Sequence, residues 1–163
     1  MENLLRDQNM SSDFEKAVDE IQEAVMQDAR KVYSEKVIER WLNPKNWGKV
    51  RDPDGFAKIK GPCGDTMQIA FKVKGNQIFN IKFLTDGCAS SLAAGCMATE
   101  LAKGRSVEEA VEISQQMILV ALDGLAEESV HCALLASNTL KAAIENYKNL
   151  RKRNTHAEGQ RIH

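Results

Sequence analysis

The chain has 163 residues, enough for one domain with a real interior, and its 43% hydrophobic and 28% charged residues are those of an ordinary folded protein. A formal net charge of -1 gives no global attraction to nucleic acid or to an anionic membrane. No run of about 18 apolar residues is present to span a bilayer, and residues 1–32 are acidic rather than Arg-rich, without the apolar stretch of a secretory signal, so a cytoplasmic location is the expectation.

In chain order, residues 1–11 read as a frayed polar start, and Ser12-Asp13-Phe14-Glu15 has the form of a capping box. Phe14, Val18, Ile21, Val25, Ala29 and Val32 then recur at helical spacing, and Tyr33, Val37, Ile38 and Trp41 carry the pattern on to Pro44. Residues 13–42 are thus one helix, or two hinged near Ser34. After the turn-rich segment 46–55 come three strand-like runs, 56–60, 67–73 and 78–83, with Gly75-Asn76 as a hairpin turn between the last two. Past Gly87 the period becomes helical: 89–103 is Ala-rich and capped by Gly104, and Ser106 opens a helix expected to run to about Asp123. A last helix is expected over 131–150, followed by a polar, basic and disordered tail at 151–163 in which Arg151, Lys152, Arg153 and Arg161 serve solubility rather than nucleic-acid binding. The layout predicts an α+β fold, a small three-stranded antiparallel sheet packed by helices with an additional N-terminal helix.

Four cysteines stand at 63, 88, 96 and 132, and in a reduced, core-bearing chain thiols more often bind metal or react than pair. Three of them fall at junctions between elements. Cys63 lies in the bend Gly61-Pro62-Cys63-Gly64-Asp65, Cys88 where strand gives way to helix, and Cys132 beside His131 at the start of the last helix. At a helix start, backbone N–H groups stabilise a thiolate. Three thiolates with a fourth ligand from Asp65 or His131 would complete a tetrahedral site for a soft metal. The absence of a CxxC pair argues against a zinc ribbon or a simple ferredoxin. Cys96, inside the Ala-rich helix, reads as a packing residue.

Several segments together carry a resemblance. They are Tyr33-Ser34-Glu35-Lys36-Val37-Ile38, Asn43-Pro44-Lys45-Asn46 with Gly48, Gly64-Asp65 after Cys63, Gly87-Cys88 with Ser90, Met97-Ala98-Thr99-Glu100-Leu101 with Lys103-Gly104, and His131-Cys132. In this order, over about 33–147, they resemble the IscU/NifU type of iron–sulfur cluster scaffold. The resemblance implies a scaffold domain at 33–150 and a carrier rather than an enzyme. Such a carrier takes persulfide sulfur from a cysteine desulfurase, binds iron, builds a [2Fe-2S] cluster and hands it to apo-protein acceptors. It further implies Cys63, Cys88 and Cys132 as cluster ligands, Asp65 as the ligand that keeps the cluster labile, His131 as a further metal ligand, and Cys132 as an exposed, low-pKa persulfide acceptor. Zinc is expected as an alternative occupant of the thiolate site.

The chain departs from the pattern in places. Ser129 stands where a Lys is usual, and Glu127-Glu128-Ser129-Val130 replaces the Pro-Pro-Val-Lys segment read by a dedicated chaperone pair, which puts that partnership in doubt. Cys96 occupies a position where a small hydroxyl residue is commoner, so a fourth sulfur near the site is the alternative to a packing role. Residues 1–32 precede the usual start, as an extra helix packed on the body or as a dimerisation or docking element of a homodimer. The nearest rival is a zinc-dependent sulfurtransferase of the SufU type. Those relatives carry an insertion between the second and third cysteines and lack the histidine, whereas here the interval is compact and His131 is present. A structural zinc module and an electron carrier fit three cysteines less well.

Overall fold

No glycine or proline interrupts the chain between Glu2 and Val32, and the backbone there is a single helix, α1 (Glu2–Val32). The computed structural model describes the backbone of residues 2–159 and the side chains of residues 12–156; Met1 and residues 160–163, with Arg161 of the expected tail, lie outside the described residues. The chain forms two compact units, Met1–Tyr33 and Ser34–His163. In the first, the expected frayed start and the cap at Ser12 are corrected, because helix begins at Glu2 and Ser12 lies in its interior. The apolar stripe of α1 stays exposed at Phe14, Ile21, Val25 and Val32. Asp28 and Lys31 pair across one turn at 2.6 Å.

The second unit opens at Ser34, whose extended backbone and side chain, accepting from the Val37 N–H at 3.2 Å, cap α2 (Glu35–Leu42). The helical stretch is therefore two helices. Three antiparallel strands follow, β1 (Gly55–Lys60), β2 (Thr66–Lys74) and β3 (Gln77–Thr85), in the spatial order of the chain. Gly75, with φ +62°, turns β2 into β3, as a tight hairpin requires. Alternation puts Met67, Ile69 and Phe71 of β2 and Ile81 and Phe83 of β3 on one buried face.

That face is covered by α3 (Ala89–Ala102) and by α6 (Val130–Gly159). A side chain at Gly95 would bring its Cβ to 2.5 Å from the Phe83 ring, so glycine there sets how closely α3 lies on the sheet. On its other side α3 receives α2, where Arg40 grips Glu100 with two bonds of 2.9 and 3.0 Å.

Two sequence expectations are corrected here. The helix opened by Ser106 is short, α4 (Val107–Ala110), and a separate helix, α5 (Gln115–Ala121), follows it. The expected Ser106 capping box is present, with Glu109 as its partner. The Glu112 and Ile113 N–H groups bond three residues back, to the Glu109 and Ala110 carbonyls at 3.2 Å each, and end α4. The Ile113 carbonyl is taken by the Ser137 hydroxyl at 2.9 Å, and the Met117 N–H goes instead to the Ser114 side chain, which caps the new helix. The expected disordered tail is also corrected, since α6 stays helical to Gly159. Arg151 donates to the Tyr147 hydroxyl at 3.0 Å with its guanidinium over the ring, and the Thr155 hydroxyl bonds back to the Arg151 carbonyl at 3.1 Å. Among the described residues, no helix is long and apolar enough to cross a membrane.

Candidate metal centre

The site is assembled where the β1–β2 turn meets the end of β3. Within the turn, the Gly61 N–H donates to the Asp65 carbonyl at 2.7 Å and the Gly64 N–H to the Gly61 carbonyl at 3.1 Å. Thr66 then ties the two loops together. Its N–H donates to the Asp86 carboxylate at 2.6 Å, and its carbonyl accepts the Thr85 hydroxyl at 2.8 Å. The Gly87 N–H closes onto the Thr85 hydroxyl at 3.1 Å and delivers Cys88 to the N-cap of α3.

Asp65, Cys88 and Cys132 converge there, with one ligand atom from each lying within 4.8 Å of the others. Asp65 comes from the turn, Cys88 from the start of α3 and Cys132 from the first turn of α6. His131 stands at the edge of this group, its Nε2 3.6 Å from the Cys132 sulfur. Cys63 is exposed on the turn and lies outside the 4.8 Å group. Cys96 is buried elsewhere, with its sulfur at 3.2 Å from the Lys45 N–H and at 3.2 Å from a Glu100 carboxylate oxygen. Burial and then Glu100 push its thiol up to about 12, which suits a packing residue.

The two thiols of the group differ. Burial works against ionising Cys88, but the backbone N–H groups of Ser91 and Ser90 outweigh it, and its pKa falls below the ordinary thiol value. Cys88 is exposed. Cys132, by contrast, is 1% exposed, and burial, reinforced by the Cys88 and Cys63 charges, pushes its thiol up to about 11. The expectation of an exposed, low-pKa Cys132 does not describe this structure. The first turn of α6 supplies a helix start, but the residue faces the interior.

Two contributors escaped the sequence reading. Ser91, fully buried, has its hydroxyl 2.6 Å from Asp65 Oδ2, 3.3 Å from the Cys132 sulfur and 4.0 Å from the Cys88 sulfur. Gly87 leaves the space that the Asp65 carboxylate fills. The only signal for Ser91 was a hydroxyl three residues after a cysteine at a helix start.

A one-sided antiparallel meander, with two thiols and a carboxylate gathered at one end by three separate elements, defines a small α+β domain equipped to hold a soft metal. Residues 32–154 match the NifU-like N-terminal domain family, and the chain belongs to that family. It is 46% identical over 117 residues to the iron-sulfur cluster assembly scaffold protein IscU 1 of Archaeoglobus fulgidus, covering 71% of this chain and 76% of that protein. It is 43% identical over 121 residues to the iron-sulfur cluster assembly scaffold protein IscU of Haemophilus influenzae, covering 71% and 95%. Among solved structures, a nitrogen-fixing NifU-like protein (N-terminal) from Brucella abortus shares the fold with a TM-score of 0.58 at 17% identity, covering 72% of this chain and 95% of that one. A SUF-system scaffold from Fervidobacterium islandicum, itself described as putative, shares it at 0.57 and 24%, covering 69% and 96%.

Proposed function

We propose that this protein is an iron–sulfur cluster assembly scaffold, on which a [2Fe-2S] cluster is built and from which it is passed to apo-protein acceptors. The observation that carries the reading is the donor set, two thiols and one carboxylate within 4.8 Å of one another. Thiolates suit iron–sulfur chemistry, and a carboxylate is a weaker partner for a cluster than a fourth thiolate, so the set holds its cargo and releases it. Cys63, on its exposed turn, supplies the third thiolate, and His131 stands beside Cys132 as a further ligand.

The proposed sulfur source is a cysteine desulfurase carrying a persulfide. A scaffold thiolate attacks the outer sulfur, a new S–S bond forms, and the desulfurase cysteine leaves as a thiolate; two electrons from a thiol reductant, such as excess cysteine, then release that sulfur as sulfide for the cluster. Cys132 is the acceptor implied by family resemblance. Exposure and thiolate character favour Cys88 as the thiol the donor meets first. Glu127–Ser129, a short 3₁₀ turn without the Pro-Pro-Val-Lys segment, supports release that does not depend on that chaperone pair.

The same donor set also suits one Zn²⁺ in a sulfurtransferase. Reconstitution of Cys88→Ala with ferrous iron, cysteine and a desulfurase tests the scaffold reading: no cluster should form, and a cluster of unchanged yield would exclude Cys88 as a ligand.

A further inference from the structure

Ser91 is in contact with the whole ligand group yet carries no metal-binding atom of the usual kind. Its hydroxyl has one hydrogen and two close acceptors, Asp65 Oδ2 at 2.6 Å and the Cys132 sulfur at 3.3 Å. A hydroxyl donating to a carboxylate takes the short, charge-assisted distance of about 2.5–2.7 Å, so the hydrogen belongs to Asp65. The contact engages Oδ2 of the carboxylate. Ser91 itself is fully buried and fixed on α3, whereas Asp65 sits on a turn and is part-exposed. Without a fixed partner, a carboxylate on such a turn would sample several rotamers. Gly87 makes the contact sterically available, since a Cβ there would fall 2.3 Å from Oδ2 and 2.6 Å from the Ser91 Cβ.

We propose that Ser91 is a positioning residue for Asp65: its hydroxyl clamps Oδ2 and fixes the carboxylate beside the Cys88 and Cys132 sulfurs. The inference rests on the reading of Asp65, Cys88 and Cys132 as metal ligands. It assigns Ser91 a role in setting how tightly the carboxylate of the group engages its cargo.

The test is a double-mutant cycle with Co²⁺, read by visible absorption and by competition with a chelator. Removing a hydrogen-bond partner of a metal ligand lowers affinity by about 10- to 100-fold, and Ser91→Ala should fall in that range in the otherwise unchanged protein. In an Asp65→Ala background the same substitution should cause little further loss. The thiolate-to-cobalt charge-transfer bands should persist in Ser91→Ala, because the cysteines are untouched. Equal losses in both backgrounds, or loss of the charge-transfer bands, would mean that Ser91 merely shapes the start of α3, and would overturn the inference. So would an unchanged affinity in Ser91→Ala. If Asp65→Ala itself leaves Co²⁺ affinity unchanged, or the parent protein shows no thiolate–cobalt bands, the ligand assignment fails and the inference falls with it.

Discussion

Gly87 and Asp65 compete for the same space: a Cβ on residue 87 would lie 2.3 Å from the Asp65 carboxylate oxygen. The β3–α3 junction is therefore glycine because the carboxylate of another loop occupies the volume a side chain would take. Gly87→Ala should displace Asp65 from Ser91 and weaken binding of Co²⁺ or Zn²⁺ by about tenfold. It should also cost about 1–3 kcal/mol of stability as an overpacked position. Metal titration and urea unfolding of the metal-free protein measure the two effects separately.

The thiols should differ in reactivity. In metal-free protein at neutral pH, iodoacetamide should modify Cys88 well before Cys132, because Cys88 is exposed with a depressed pKa and Cys132 is buried with its thiol pushed up to about 11. Cys96, pushed up to about 12 and buried, should react only on unfolding. Peptide mass mapping against time reads the order, and early labelling of Cys132 would contradict it.

Asp86 gives the clearest pH prediction. The backbone N–H of Thr66, opposed weakly by burial, holds its carboxyl below the ordinary value of 3.8. A depressed carboxylate contributes stability that is present above 3.8 and is lost as pH falls through the lower, folded-state value. Asp86→Ala should thus lower the melting temperature at pH 7, and the gap to the parent protein should close on acidification below 3.8. A pH-independent gap would mean that the loss comes from packing instead.

Much of this architecture was legible in the residues, and the exceptions share a cause. The Ser106 capping box, the Gly75-Asn76 hairpin and the three alternating strands are local signals, and each stands in the structure where the sequence put it. The break before Ser114 is not legible in the local spacing, and the Ile113 carbonyl there is met by Ser137 of another helix. The helix through the tail to Gly159 is not legible, because a polar composition reads as disorder even where no glycine or proline intervenes. At the site, two of the three junction cysteines, Cys88 and Cys132, lie with Asp65 within 4.8 Å of one another, while Cys63 lies outside that group. The burial of Cys132 and the hydroxyl bridge from Ser91 depend on how α3, α6 and the turn pack, which no single segment encodes.

Asp65 is proposed as the ligand that keeps the cluster mobile, so Asp65→Ala should lengthen the lifetime of a reconstituted cluster under anaerobic transfer conditions. Decay of the visible absorption measures it. An unchanged lifetime would remove Asp65 from that role while leaving the thiolates as ligands.

If the site holds its cluster as cargo, the cluster must form on this chain and leave it for an acceptor. The protein is reconstituted anaerobically with ferrous iron, cysteine and a cysteine desulfurase, then mixed with an apo-ferredoxin while visible absorption is followed in both proteins. A sulfide-to-iron charge-transfer spectrum should form on this chain and reappear on the acceptor. Retention of one tight zinc ion with no cluster formed, together with faster desulfurase turnover, would contradict it and identify a sulfurtransferase instead.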